Sequence, residues 1–221
     1  MGAVRLTHGG RSAGLTSGAA VRGSLAVLLA VAVLVLAMAE GPAAAPPGRS
    51  LTGRLLVATE AIRDPRFARA VIYLVRHNEE GAFGLVINVP MATIPFARAL
   101  RPLGLEAPPG SGDLRIYYGG PVDERHGFVL HTPDWKGEGT TVVDGRFALT
   151  EDAKILESMA GGTGPRRALF VLGYAGWAPG QLDAELTTGG WGIAAADERL
   201  VFEMDPAQKW IEAMARRILE L

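Results

Sequence analysis

Between Leu169 and Trp191 glycine and proline recur so often that backbone geometry, more than any side chain, limits what the chain can build there. Leu169–Leu172 is a short apolar run of strand type, too brief for a helix and bounded by Gly173. Gly173, Gly176, Pro179 and Gly180 then predict a turn, because glycine tolerates positive φ and proline presets φ at about −65°. Pro179 suits the first turn of a helix, Leu182 and Leu186 lie four apart on one face, and Gly189-Gly190 ends it. The expectation is a buried strand, a glycine-rich elbow and a short helix, flanked by Trp177 and Trp191. Such an elbow can hold a ligand, but it brings no reactive group.

The other segments favour hairpins over strand–helix–strand units. Leu55–Val57 reads as a first strand, and Asp64-Pro65 as the cap and first position of a brief helical turn. Ala70–Arg76 is rich in β-branched and aromatic residues and reads as a strand buried on both faces. The polar turn His77–Gly81 returns it to a partner strand, Ala82–Asn88. Thr93–Leu103 is predicted as a helix with Pro95 in its first turn. Leu114–Tyr118 and Gly127–His131 read as strands, and Thr140–Val143 and Arg146–Leu149 flank the hairpin dipeptide Asp144-Gly145. Thr150 is the expected cap of a helix stopping at Gly161-Gly162, and Leu200–Phe202 the last strand. Asp205-Pro206 opens a final helix with Trp210, Ile211, Met214 and Ile218 on one face. Together these give a single α+β domain, a mixed and mostly antiparallel sheet with helices packed against it.

The N-terminal end differs in kind. Leu25–Ala39 is an unbroken apolar run of 15 residues, preceded by Arg5, Arg11 and Arg22 with no carboxylate. As a helix it would span roughly 22 Å, short of a hydrocarbon core of about 30 Å. With the small residues Ala37-Met38-Ala39 it reads as a secretory signal peptide, residues 1–39, and residues 40–50 as a Pro/Ala/Gly linker. The domain then runs 51–221. Its expected location is exported or periplasmic if the leader is used, and the membrane enters only if the leader stays uncleaved. The full chain has formal charge −1, and losing the leader removes three arginines and no acid, so nothing favours a polyanion partner. No cysteine is present, which excludes thiolate nucleophiles, disulfides and Cys-ligated zinc.

Three stretches carry a family resemblance. The first is Asp64-Pro-Arg-Phe-Ala-Arg-Ala-Val-Ile-Tyr73 with His77-Asn78, Gly81–Gly84 and Ile87–Pro90. The second is Gly119-Gly-Pro-Val122 with Gly127–Pro133, and the third Leu172–Trp177 with Gly180-Gln-Leu182 and Trp191. In order and spacing, from about Leu51 to Ile218, the chain resembles the YqgE/AlgH family of bacterial proteins. The resemblance implies a coiled, mixed α+β sheet and no established activity. One branch carries a label as a transcriptional regulator, and members usually lack a leader, which implies a cytosolic alternative. Arg76, Phe83, Gly190 and Gly192 depart from the family's pattern.

Tested for chemistry, the motifs mostly fail. A G-x-S-x-G nucleophile turn needs a central hydroxyl, and Gly173-Tyr-Ala-Gly-Trp177 offers alanine. His77, His126 and His131 show no local metal-ligand spacing, so no metal is expected; backbone hydrogen bonding at turns explains them as well. Gly119-Gly120-Pro121 precedes Asp123 and Glu124, which repel phosphate, and no cofactor is expected. The basic pairs are short and no helix-turn-helix pattern occurs, so nucleic acid is not an expected partner. The remaining ligand-binding candidates are Asp64, His77, Asn78, Gly119, Gly120, His131, Trp177, Gly180 and Gln181, with none assigned a catalytic role. The leading expectation is a non-catalytic binding or regulatory protein with an unknown protein or small-molecule partner. The alternative is an enzyme of unrecognised type using His77, His131 or Asp64 as acid–base groups in a cleft lined by Gly119, Gly120 and Trp177. A DNA-binding transcriptional regulator is a distant third.

Overall fold

The computed structural model describes residues 50–217. The leader and nearly all of the linker read from the sequence, and Ile218, lie outside the described residues. Ten strands form one branched sheet: β1 (Arg54–Ala58), β2 (Val71–Asn78), β3 (Gly81–Val86), β4 (Pro90–Pro95), β5 (Asp113–Tyr118), β6 (Val122–His131), β7 (Thr140–Val142), β8 (Ala148–Thr150), β9 (Ala168–Trp177) and β10 (Trp191–Ala195). The order is β10-β1-β2-β3-β9-β6-β8-β7, with β5 joining β9 in parallel and β4 pairing β5. All other pairings are antiparallel. Four helices pack on it: α1 (Phe96–Leu100), α2 (Lys154–Ala160), α3 (Gln181–Thr187) and α4 (Pro206–Ala215). This is the mixed α+β domain read from the sequence.

Alternation along β1 and β2 shows why the sheet is covered twice. Leu55, Val57, Val71 and Tyr73 enter a core with Leu200, Val201 and Ala213. Leu56, Ala58, Ile72 and Leu74 enter a second core with Leu182 and both Trp177 and Trp191. Successive side chains on a strand point to opposite faces, so a strand apolar at every position needs a lid on each side. A third core joins α1 and α2 to Leu114 and Val129.

The glycine elbow is where the structure departs most from the sequence reading. β9 does not end at Gly173 but runs on to Trp177, pairing Gly176 with Phe83 and Ala175 with Gly84. Gly173 keeps a positive φ of 74°, yet its role is close approach: a side chain there would strike Gly120's carbonyl, and one on Gly119 would strike Gly173's. The chain turns only at Ala178–Gly180, where Gly180 takes φ 71° as the cap of α3.

Other boundaries move for local reasons. Thr93 and Ile94, β-branched, pair with Arg115 and Leu114, so the predicted helix begins at Phe96 and lasts five residues. Leu200–Phe202 lies in a π-helical turn, Arg199–Glu203, started by Asp197 Oδ1 accepting from the Leu200 amide at 2.8 Å. A short apolar run fits either a strand or a buried turn, and here capping decides. Thr150 ends β8 instead of capping α2; Asp152 Oδ1 accepts from the Lys154 amide at 2.8 Å. Asp64 and Asp205 cap as expected, accepting from the Arg66 and Ala207 amides. On α4, however, the buried residues are Lys209 and Ala213, while Ile211 is 57% exposed.

Candidate functional site

β9 separates the residues that the sequence offered for one cleft. His131 pairs with Ala168 at its start, whereas His77 pairs with Ala82, which pairs with Trp177 at its end. Nine strand steps separate those positions, about 30 Å at roughly 3.3 Å per residue. An acid–base pair must lie within hydrogen-bond or one-water reach, so the alternative of His77, His131 and Asp64 acting in one cleft is corrected: the fold does not assemble them.

Each histidine is instead occupied locally. His131 is fully buried; Nδ1 lies 2.7 Å from the Thr132 carbonyl and must donate to it. That leaves Nε2 to accept from the Thr150 hydroxyl at 2.9 Å, which in turn lies 2.7 Å from Thr140 Oγ1. Burial lowers its pKa and keeps the ring neutral. His77 Nδ1 accepts from the Leu51 amide at 3.2 Å, so Nε2 carries the proton and faces Asp183 on α3 at 3.5 Å. Asn78 turns the β2–β3 hairpin, its Oδ1 accepting from the Glu80 amide. Gly119 and Gly120 lie flush against β9, with their space filled by its backbone.

Three candidates do meet. Asp64, Trp177 and Gln181 line one cleft of about 600 Å³, together with Arg66, Glu185 and Trp191. The glycine turn at Gly180 sets α3 beside the end of β9, which brings the side chain of Glu185 under both indoles. Its Oε2 accepts from Trp177 Nε1 at 3.0 Å and from Trp191 Nε1 at 2.7 Å. Its Oε1 accepts from Gln181 Nε2 at 2.9 Å, and Gln181 Oε1 accepts from the Ala178 amide. The indoles cross at 79° with centroids 6.0 Å apart, and Phe67 meets Trp191 edge-on at 5.8 Å. Asp64, also in the lining, takes Arg66 through Nε at 3.0 and 3.1 Å and Nη2 at 2.6 Å. That hydrogen-bonded guanidinium holds the Asp64 carboxyl below its ordinary pKa.

The lining contains no histidine, and its one hydroxyl, Thr188, donates to the Glu185 carbonyl at 2.9 Å. Among the described residues no group of three or more His, Asp and Glu is placed to hold a metal. Sequence reasoning missed Glu185, although its spacing told: it stands four residues after Gln181 and six before Trp191. A slightly larger hollow of about 640 Å³, near Arg115, Tyr117 and Phe202, holds none of the residues singled out from the sequence.

Comparison with known proteins places these features in context. The AlgH-like family model matches residues 55–220. A UPF0301 protein of Rhodospirillum rubrum is 46% identical over 166 residues, covering 75% of this chain and 86% of the relative. A UPF0301 protein of Bradyrhizobium diazoefficiens is 40% identical over 184 residues, covering 80% and 86%. Among solved structures, the solution structure of the AlgH protein from Pseudomonas aeruginosa matches with a TM-score of 0.67 at 38% identity, over 80% of this chain and 90% of that one. A crystal structure of a Corynebacterium diphtheriae protein matches in fold, with a TM-score of 0.60 at 23% identity over 80% and 92%.

Proposed function

The chain belongs to the AlgH-like family, and on that premise we propose that it is a non-catalytic binding protein whose ligand enters the cleft between Trp177, Trp191 and the Asp64–Arg66 pair. One observation carries this reading: Glu185 fixes two large aromatic side chains at the wall of an open cleft. A rigid, part-apolar wall with a few placed polar groups suits binding, because little side-chain freedom is left to lose. A nucleophile with an adjacent base, which turnover by covalent or acid–base routes needs, has no counterpart in the lining.

The test is a titration of the isotope-labelled chain with fractionated bacterial cell extract, followed by two-dimensional NMR. The expected result is saturable change at Trp177, Gln181 and Trp191. Changes confined to other surfaces, or steady consumption of an extract component, overturn the proposal. For residues 1–39 we infer export with cleavage after Ala39, on the basic, apolar and small-residue pattern. N-terminal sequencing of the cell-derived protein checks it, and a start at Met1 in a cytosolic fraction refutes it. Among the described residues no helix is long and apolar enough to cross a membrane.

A further inference from the structure

We propose that the cleft recognises an organic cation, whose ammonium head sits against Glu185 beside the rings of Trp177, Trp191 and Phe67. This deepens the binding reading above and rests on it. An ionised carboxylate has about four acceptor positions, and three here are filled by neutral N–H donors. Neutral donors orient the charge without cancelling it. Among the described residues no lysine, arginine or histidine forms an ion pair with Glu185. One position on Oε1 therefore remains for an incoming donor or positive charge.

The surroundings favour a cation over other ligands. Both indole N–H groups are spent on Glu185, so the indoles offer a ligand only apolar surface and ring electrons. Cations are drawn to aromatic rings within about 6 Å, most strongly to tryptophan. Trp191 stands near right angles to both Trp177 and Phe67, and the three rings give an aromatic wall suited to a compact, methylated head. Trp177 and Trp191 are only 7% and 5% exposed, so the carboxylate supplies most of the attraction and the rings a dry wall. Arg66 does not compete for Glu185, because Asp64 engages it twice over. Arg63, exposed and lining the same cleft, is a cation that an anionic tail would meet. A free anion drawn to Arg63 would still be repelled by the Glu185 carboxylate beside the indoles.

The test compares choline with its uncharged isostere 3,3-dimethylbutan-1-ol and with acetate, reading the four indole N–H signals of the full chain by NMR. Choline is expected to move the Trp177 and Trp191 signals saturably and to leave those of Trp135 and Trp210 in place. The isostere should bind about tenfold more weakly, the worth of one partly desolvated cation–π and charge contact. In E185Q that preference should vanish, and in F67L, where the carboxylate is untouched, it should shrink. If the isostere binds equally well at the same two signals, the cation inference fails while the binding reading stands. If acetate is preferred, or choline moves neither signal at concentrations up to about 100 mM, where even a contact of a few kcal/mol registers, the cation inference is overturned.

Discussion

The two ends of β9 hold similar chemistry and put it to opposite use. At the Ala168 end, His131, Thr150 and Thr140 form a chain in which every side-chain donor and acceptor is answered from within, and His131 and Thr150 are fully buried. At the Trp177 end, Glu185 is equally well held but half-buried, and it keeps an acceptor position facing a cleft. A buried polar group must find its partners inside the protein, whereas one at a cleft can leave a site for a ligand. Saturation, rather than residue type, separates a structural polar cluster from a site. His131, among the residues that looked most chemical in the sequence, is a saturated one.

If that contrast is right, the closed end should be the costlier to disturb. His131→Leu leaves the Thr132 carbonyl without its imidazole donor and the buried Thr150 hydroxyl with Thr140 as its one side-chain partner. The expected loss is about 3 kcal/mol by urea denaturation. A loss below about 1 kcal/mol, the worth of a single ordinary hydrogen bond, would mean that the network is not closed. Glu185→Ala frees two indole N–H groups that can turn to water at the cleft, so about 1.5 kcal/mol is expected, with a red shift of tryptophan emission. Equal losses at the two ends would erase the distinction.

Lys209 extends the comparison to a charge. Its side chain is fully buried, donating to the carbonyls of Ile87 at 2.9 Å and Val201 at 2.6 Å, above the Tyr117 ring. Burial lowers its pKa from 10.5 to about 8, with Arg115 adding to the shift and Asp205 opposing it. Between those values the unfolded chain binds a proton that the native one has released, so stability rises with pH. The expected gain from pH 8 to pH 9 is about 1 kcal/mol relative to Lys209→Met. A wild-type curve parallel to that of the variant would show that the amine stays charged in place.

How much of this was legible in the sequence follows from the range of the forces involved. Caps are local, and Asp64 and Asp205 cap as their Asp-Pro dipeptides say. The twice-buried β2 was legible too, because Val71–Leu74 has no polar face to spare. The elbow was misread because Gly173 is glycine for what lies across from it, Gly120, and strand partners are not written locally. Lys209 was missed for a similar reason: its acceptors lie 122 and 8 residues away. Of the candidate residues, Asp64, Trp177 and Gln181 share the cleft because they flank one glycine turn and one capped turn. Glu185, which organises them, is marked in the sequence only by its spacing, four residues after Gln181 and six before Trp191.

The smallest expected effect probes an unanswered polar group in the core. Tyr73 is fully buried against Phe147, at 4.9 Å between centroids, and its hydroxyl has no hydrogen-bond partner. Burial, with the charge of Asp144 nearby, holds the phenol neutral far above its ordinary pKa. Saturation is the rule for this core, so the unanswered hydroxyl costs stability and its removal restores some. Tyr73→Phe keeps the ring and its packing, and a gain of about 0.5 kcal/mol is expected from dropping a desolvated, unpaired group. A loss of about 1 kcal/mol or more would show that the hydroxyl does bond to something in solution, a trapped water above all. The inner face of the sheet would then hold a polar position that is filled from outside, as the cleft is proposed to be, and the line drawn between the two ends of β9 would have to move.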